Sequence, residues 1–328
     1  MNDGFPPCVC ITGPTACGKT DLALALAEQF PLEVISMDSA MVYRGMDIGT
    51  AKPSPDILAE VPHHLVDILA PTESYSAGRF AADARQAVER IRRRGRLPVL
   101  VGGTLLYLRA LRDGLASLPR ANPAIRRRLD REAELFGWEG LHDRLEKIDA
   151  AAASRISPKD GQRIQRALEV YELTGEPISA LQSRKRLEPG MPVRAVALVP
   201  SDRGRLAERI ARRFDAMVQA GFVDEVGALR ERGDLDPAMP SMRTIGYRQV
   251  WSHLDGDCDW PETRSKAIAA TRQLAKRQLT WLRSEESIRQ VSAEAPASRE
   301  LVARLLDEYG DGRSRQRVGS KWNSPLSE

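Results

Sequence analysis

The sequence "ITGPTACGKTDLALAL" (residues 11–26) determines which class of protein this chain belongs to. Within it, Gly13 to Thr20 fits the pattern G-x-x-x-x-G-K-[ST] of a phosphate-binding loop without a mismatch. Apolar residues from Cys8 to Ile11 precede the loop as a short buried strand, and a helix rich in leucine and alanine follows it. This order of strand, loop and helix predicts that a polyphosphate binds here.

Each residue type in the loop has a physical role. Gly13 and Gly18 let the backbone curl so that successive N–H groups point at an anion, and the helix that begins near Lys19 adds the positive end of its dipole. Lys19 supplies a point charge to phosphate oxygens, and the Thr20 hydroxyl can bind Mg²⁺. The alternative is an ordinary glycine turn before a helix. The motif alone does not identify the polyphosphate.

Composition excludes several classes of protein. A chain of 328 residues with 42% hydrophobic residues is long enough for about two domains. Its four cysteines and four histidines have neither zinc-site spacing nor an extracellular disulfide pattern. No apolar run is long enough to span a membrane, and the first residues lack the layout of a signal peptide. We therefore expect a soluble cytoplasmic protein, whose net charge of +4 is too small to indicate nucleic acid by itself.

The first third of the chain alternates short apolar runs with helical patterns, which is typical of a parallel sheet. We predict strands over residues 32–38, around Val66 and from Leu97, with a helix over residues 77–94. The fold class is therefore α/β, like that of P-loop NTPases, with helices on both faces of the sheet. Because the carboxyl ends of parallel strands line the ligand crevice, Asp38 and Gly102–Thr104 should meet the phosphate loop there.

The pattern changes after residue 112. Asn122 and Pro123 begin a helix that stops at Gly137, and Asp160 begins another that stops at Gly175. Strand character returns at "VRAVALVP", from Val193. We predict a P-loop catalytic core formed by residues 1–112 and 190–308, a helical insertion over residues 113–189, and a disordered tail over residues 309–328.

Two carboxylates could take part in the chemistry. NTP hydrolases hold Mg²⁺ with an acid at the end of a strand, but here the strand before Gly102 ends in Gly-Gly-Thr, and Asp67 is a weak substitute. This makes a motor ATPase less favoured. Asp38 faces the phosphate loop and either binds metal through water, accepts a proton from a nucleophile, or simply caps the next turn.

Basic side chains cluster on several helices of the second half and of the insertion. One such cluster is usually a solvated helix face, but several with neighbouring amide side chains favour a phosphodiester backbone as partner. The clusters are Arg209, Arg212 and Arg213; Arg243, Tyr247 and Arg248; Arg272, Lys276 and Arg283; Arg126 to Arg128; and Gln162, Arg163, Gln165 and Arg166.

Eight segments together resemble the bacterial branch of the tRNA isopentenyl transferase family, the tRNA dimethylallyltransferases. They occur in order from about Cys8 to Arg283: "GPTACGKT", "SMDSAMVYRGMDIGTAKP", "PHHLVDI", "YSAGRFAADA", "VLVGGTLLYLRAL", "RALEVYELTG", "MRTIGYRQ" and "TRQLAKRQLTWLR". The resemblance implies transfer of a dimethylallyl group from dimethylallyl diphosphate to N6 of the adenosine immediately 3′ of the anticodon, in tRNAs that read codons starting with U. It also implies a requirement for Mg²⁺.

The resemblance further implies roles for individual residues. Asp38 matches the general base, Thr104 a threonine beside the adenine, and Arg213 an arginine on the diphosphate. The diphosphate would lie on Gly13, Pro14, Thr15, Ala16, Cys17, Gly18, Lys19 and Thr20, with Thr20 also on Mg²⁺. The tRNA anticodon stem-loop would contact Asp38, Ser39, Ala40, Met41, Thr104, Arg126, Gln162, Arg163, Ile164, Gln165, Arg166, Arg243, Thr244, Ile245, Gly246, Tyr247, Arg248, Arg272, Lys276, Arg277, Gln278, Trp281 and Arg283. We expect a monomer.

Three other functions are compatible with parts of this pattern. An isopentenyltransferase acting on free adenylate would share the phosphate loop and Asp38, but it needs neither the insertion nor the basic helices. An ATP-dependent small-molecule kinase follows from the phosphate loop alone. A non-catalytic RNA-binding nucleotide switch would use the same basic surface.

Overall fold

The computed structural model describes residues 7–116, 118–184 and 190–309. The chain divides into two compact units, which we call the core unit (Met1–Arg112 and Gly190–Glu328) and the inserted unit (Asp113–Pro189). Of the predicted tail, only residue 309 is described, and it is helical; residues 310–328 lie outside the described part. None of the helices within the described ranges has the length and apolar character needed to cross a membrane.

A sheet of six parallel strands forms the centre of the core unit, in the order β3-β2-β4-β1-β5-β6. Strands β1, β2 and β4 are almost completely buried, which explains why their residues are mostly apolar; Glu33 and Ser36 of β2 are buried polar exceptions. The strands are β1 Cys8–Thr12, β2 Leu32–Ser36, β3 His63–His64, β4 Leu97–Val101, β5 Val193–Val199 and β6 Arg289–Ser292.

Thirteen helices are assigned in the described residues. They are α1 Lys19–Ala27, α2 Pro55–Glu60, α3 Ala77–Arg93, α4 Leu105–Asp113, α5 Pro123–Ile148, α6 Ala150–Ala153, α7 Gly161–Thr174, α8 Ile178–Ser183, α9 Arg203–Gln219, α10 Phe222–Glu231, α11 Tyr247–Leu254, α12 Trp260–Arg283 and α13 Pro296–Tyr309.

Helices cover both faces of the sheet, because alternate side chains of each strand point to opposite faces. Cys8 and Cys10 of β1 pack in one apolar cluster with α3 and α4, whereas Val9 and Ile11 pack in a second cluster with α1 and α13. The predicted α/β fold with helices on both faces is confirmed. A third apolar cluster joins helices α9 to α12.

Two strands are shorter than the sequence predicted. Strand β2 ends at Ser36, two residues before Asp38, and β3 contains only His63 and His64. Leu65 and Asp67 have φ angles of 64° and 55°, so the chain cannot stay extended through Val66. Strand β6 and helix α13 were not predicted individually.

The inserted unit consists of helices α5 to α8 around its own apolar cluster, to which Leu129, Leu145 and Leu168 belong. The predicted start of α5 and the predicted start and end of α7 are present. The Asn122 side chain accepts hydrogen bonds from the amides of residues 124 and 125, and Gly175 ends α7 with a φ of 72°. At Gly137, with φ 70° and ψ 161°, α5 is kinked, and the helix then resumes to Ile148. The sequence had predicted only the first part of this helix.

Candidate active site

The phosphate loop joins β1 to α1 and has the backbone that its glycines predict. Gly13 and Gly18 have φ angles of 141° and 82°, and Ala16 between them has a φ of 60°. A Cβ atom on Gly13 would lie 2.3 Å from the carbonyl oxygen of Leu198. Gly13 is therefore required both by its φ angle and by the close approach of β5.

Lys19 lies over its own loop. Its Nζ donates a hydrogen bond to the carbonyl oxygen of Pro14 at 2.6 Å and contacts Sγ of Cys17 at 3.9 Å. Burial raises the pKa of the Cys17 thiol above its ordinary value, although the positive charges of Lys19 and Arg209 act in the opposite direction. Cys17 is therefore a neutral, buried part of the loop wall.

The ends of β1, β2 and β4 are joined by hydrogen bonds just beyond the strands. Oγ1 of Thr12 donates to the carbonyl oxygen of Gly102 at 2.9 Å. The Thr104 amide donates to the carbonyl oxygen of Met37 at 3.2 Å, and Oγ1 of Thr104 accepts from the amide of Ser39, also at 3.2 Å. The structure thus brings together the phosphate loop, Asp38–Ser39 and Gly102–Thr104.

Asp38 follows β2 and is partly exposed. Its Oδ1 accepts a hydrogen bond from the amide of Ala40 at 2.8 Å, so the side chain does cap the turn that follows the strand. No hydrogen bond to Oδ2 occurs within the described part of the chain. One oxygen therefore fixes the carboxylate, and the other is available to accept a proton.

Arg213 on α9 lies close enough to Asp38 and Asp21 for their charges to act on it. Burial lowers the pKa of its guanidinium, and the two carboxylates act in the opposite direction. It forms no ion pair within the described ranges of the chain. A partly buried cation is normally paired, so Arg213 beside the phosphate loop is suited to an anionic ligand.

Helices α9 and α12 pack against each other beside the phosphate loop. Ile210 of α9 and Ala275 of α12 belong to one apolar cluster, against which Ala16 of the loop also packs. Arg213 lies three residues after Ile210 on α9, and Gln278 lies three residues after Ala275 on α12. Residues three apart share a helix face, so the same packing brings both side chains towards the loop.

The sequence model of a family described as IPP transferase matches residues 41–285 of this chain. The chain is 59% identical to the tRNA dimethylallyltransferase of Alkalilimnicola ehrlichii over 87% of this chain and 90% of that protein, and 55% identical to that of Ralstonia nicotianae over 92% and 95%. It belongs to the IPP transferase family. The predicted family, and with it the predicted class of enzyme, a prenyltransferase, is confirmed.

Solved structures of this family have the same fold. The full-length tRNA isopentenylpyrophosphate transferase from Bacillus halodurans is 37% identical, with a TM-score of 0.66 over 94% of this chain and 97% of that one. A eukaryotic dimethylallyltransferase, captured while acting on tRNA, is 26% identical, with a TM-score of 0.75 over 95% of this chain and 82% of that one.

Helix α12 carries four exposed basic side chains that family resemblance assigned to RNA. They are Arg272, Lys276, Arg277 and Arg283. None of the four forms an ion pair with another described residue. Trp281 on the same helix packs partly against the core cluster that contains Leu282. The Gln278 side chain is already bonded: its Oε1 accepts from the Thr15 amide at 3.0 Å, and its Nε2 donates to the carbonyl oxygen of Gly103 at 2.9 Å.

The residues of the segment Arg243–Arg248 differ in exposure. Arg243 and Arg248 are exposed and Thr244 and Ile245 are partly exposed, but Gly246 is buried. The side chain of Tyr247 is 0% exposed, and its hydroxyl donates to Oε1 of Glu225 at 2.5 Å. The ring belongs to the apolar cluster of helices α9 to α12, so the side chain is not exposed to RNA, and the assignment of residues 243–248 to tRNA stays a prediction.

Glu225 is a residue that sequence reasoning missed. Its carboxylate accepts hydrogen bonds from three successive amides, those of Asp47, Ile48 and Gly49, at 2.9, 2.7 and 3.2 Å. It thereby fixes the loop that continues from Asp38. A Cβ atom on Gly49 would lie 2.1 Å from the ring of Phe222, so only glycine leaves room for this ring. The sequence "DIGT" contains the glycine but does not show which residue packs against it.

In the inserted unit, most of the residues predicted to contact RNA also contact other residues of the unit. Arg126 and Arg166 form ion pairs with Glu169, which is 0% exposed, at 2.9 and 2.7 Å. Nε2 of Gln165 donates to Oδ1 of Asp130 at 2.6 Å, and Ile164 is fully buried. The Ile164 side chain is therefore not exposed to RNA, and the assignment of residues 162–166 to tRNA stays a prediction. Gln162 and Arg163 are exposed.

Asp67, considered as a metal-binding carboxylate, pairs with Lys52 at 2.5 Å. The adjacent histidines also have protein partners: Nε2 of His64 lies 2.6 Å from Oε2 of Glu33, and Nδ1 of His63 lies 2.6 Å from the carbonyl oxygen of Val61. Over the ranges that the structure describes, three or more cysteine, histidine or acidic side chains nowhere form a group that could hold a metal ion.

Proposed function

We propose that this protein transfers a dimethylallyl group from dimethylallyl diphosphate to N6 of the adenosine immediately 3′ of the anticodon, in tRNAs that read codons starting with U. One observation carries the proposal: three groups meet at the same strand ends. They are the phosphate loop, a partly buried arginine that pairs with no described acidic residue, and a carboxylate with one oxygen that bonds to no described residue. Membership of the IPP transferase family and relatives named tRNA dimethylallyltransferases support it.

The phosphate loop and Arg213 would hold the leaving group. An allylic carbon ionises readily once the charge on the departing diphosphate is neutralised, so clamping that group is the main electrostatic task. Lys19 lies directly over the loop, and Arg213 adds a second cation beside it. The bond from C1 to the diphosphate oxygen breaks as the bond from C1 to N6 forms.

Asp38 would accept the proton that N6 loses. The exocyclic amine of adenine is a poor nucleophile, so a fixed carboxylate on its hydrogen and a fixed line of attack both contribute. The hydrogen bond from Ala40 orients the carboxylate, and that from Ser39 to Thr104 holds the neighbouring strand end. The adenosine must leave its stack to reach this position, which costs least in an anticodon loop because its bases are unpaired.

The residues present suit Mg²⁺ bound mainly by the substrate. Mg²⁺ often keeps several waters and binds largely through substrate phosphates, so the Thr20 hydroxyl at the start of α1 would be its ligand from the protein. When bound, the ion would neutralise charge on the diphosphate. The cytoplasmic location and the monomeric state remain predictions.

A transfer assay tests the proposal. Radiolabelled dimethylallyl diphosphate is incubated with the protein, Mg²⁺ and an anticodon hairpin that carries the target adenosine. We expect label in the hairpin, and none in a matched hairpin with inosine at that position, because inosine lacks the amine. Preference for AMP over the hairpin would indicate an adenylate isopentenyltransferase, and turnover of ATP without the isoprenoid would indicate a small-molecule kinase; either result would overturn the proposal.

A further inference from the structure

The side chain of Gln278 bridges two loops at the centre of the candidate site. Its carbonyl oxygen accepts from the amide of Thr15 in the phosphate loop at 3.0 Å, and its nitrogen donates to the carbonyl oxygen of Gly103 at 2.9 Å. A glutamine side chain has one carbonyl and one NH₂ group, so each end of the amide is engaged. The bridge leaves at most one lone pair on the oxygen and one hydrogen on the nitrogen for any other partner.

The space at Gly103 is consistent with this bridge. Gly103 does not have a left-handed φ angle, so its backbone conformation does not require glycine. A Cβ atom there would, however, lie 2.5 Å from Nε2 of Gln278, closer than real Cβ contacts. The absence of a side chain at residue 103 therefore leaves room for the glutamine amide.

The two residues that Gln278 joins lie on different sides of the proposed reaction, one beside the leaving group and one beside the proton acceptor. Thr15 belongs to the loop assigned to the diphosphate. Gly103 precedes Thr104, whose hydroxyl accepts from the amide of Ser39, next to Asp38. An amide of fixed length between them sets how far the leaving group lies from the proton acceptor, and misplacement by about 1 Å can cost a large factor in rate.

We infer that Gln278 is a positioning residue. It acts through Thr15 and Gly103 to hold the phosphate loop at a fixed distance from the segment Gly102–Thr104, which lies beside Asp38. The inference rests on the proposed function and differs from the RNA contact that family resemblance assigned to Gln278. Its neighbours Lys276 and Arg277 are exposed, whereas Gln278 is partly buried and points into the core unit.

The first test is the steady-state kinetics of Gln278→Ala in the full-length protein. We expect kcat to fall by about tenfold or more, with the KM values for dimethylallyl diphosphate and the hairpin changing far less, because alignment and not binding is lost. Gln273→Ala is the matched control, since Gln273 is an exposed glutamine on the same helix. A raised KM for the hairpin with kcat retained would overturn the inference and make Gln278 an RNA contact.

The second test is a double-mutant cycle with Gly103→Ala. In the wild-type background the added methyl group displaces the amide, so we expect a loss of kcat similar to that of Gln278→Ala. In the Gln278→Ala background the same change should cost less, because the bridge is already absent and only the 3.2 Å approach of the new Cβ to the carbonyl oxygen of Gly13 remains. Additive losses would overturn the inference.

The third test does not depend on any reaction. The Thr15 amide should exchange its hydrogen about tenfold or more faster in Gln278→Ala than in the wild type or in Gln273→Ala, because its acceptor is removed. Unchanged exchange would overturn the inference. If the wild type transferred no prenyl group but Thr15 lost its protection in Gln278→Ala, the proposed function would fail while the bridge itself would still be supported.

Discussion

At the scale of single residues, Asp38 combines two roles that the sequence presented as alternatives. A carboxylate at a strand end either caps the next turn or takes part in chemistry, and the pattern did not decide between them. In the structure Oδ1 bonds to the amide of Ala40, and Oδ2 forms no hydrogen bond with any described residue. The turn therefore orients the group whose second oxygen can accept a proton.

Asp38→Asn separates these roles. The asparagine keeps an oxygen for the Ala40 amide but replaces the proton acceptor by an NH₂ group, so we expect kcat to fall by about 10² or more while the protein stays folded. RNA affinity should not decrease, because no contact to a phosphate is removed. Single-turnover transfer and hairpin binding measure the two effects. Loss of RNA binding together with transfer would show that Asp38 is not the base.

At the scale of elements, the sequence predicted the sheet and the phosphate loop well because both depend on local patterns. Buried strands and glycines with positive φ leave a direct trace in neighbouring residues. The long-range partners left none. Gln278 lies 263 residues from Thr15, and Glu225 lies 178 residues from Asp47, so neither contact could be recognised from the order of residues. A helical pattern likewise did not show that Tyr247 points inward.

Helix α12 offers a matched pair for testing its basic face. Lys276 is exposed and forms no ion pair with a described residue, whereas Lys266 on the same helix pairs with Glu262 at 2.8 Å. If Lys276 neutralises one phosphate, Lys276→Ala should reduce the slope of log affinity against log salt by about 0.7 to 0.9. Lys266→Ala should leave the slope unchanged. Equal slopes for wild type and Lys276→Ala would assign Lys276 to a solvated helix face.

At the scale of the whole molecule, the chain contains two units with separate apolar clusters. The inserted unit contains the buried Glu169, whose carboxylate accepts from the amide of Asn122 at 2.7 Å and pairs with Arg126 and Arg166. Burial raises the pKa of Glu169, but these hydrogen bonds outweigh it, so the pKa lies below its ordinary value. The carboxylate is therefore charged at neutral pH and stabilises its own unit.

Glu169→Gln should consequently destabilise the inserted unit alone, by about 2 kcal/mol at pH 7, since charge-assisted hydrogen bonds to a buried group are lost. Because the pKa of Glu169 is lowered in the folded state, the wild type keeps this stability above the ordinary pKa of 4.5 and loses it as the pH falls further. The difference in unfolding free energy between the wild type and Glu169→Gln should therefore become smaller in acid. Hydrogen exchange of the full-length protein measures this loss of stability. In Glu169→Gln, protection should fall in α5 and α7 but not in β1 or β4. Glu176→Gln, which alters an exposed pair with Arg184, is the control and should change little. Equal loss of protection in the strands would mean that the two units unfold together.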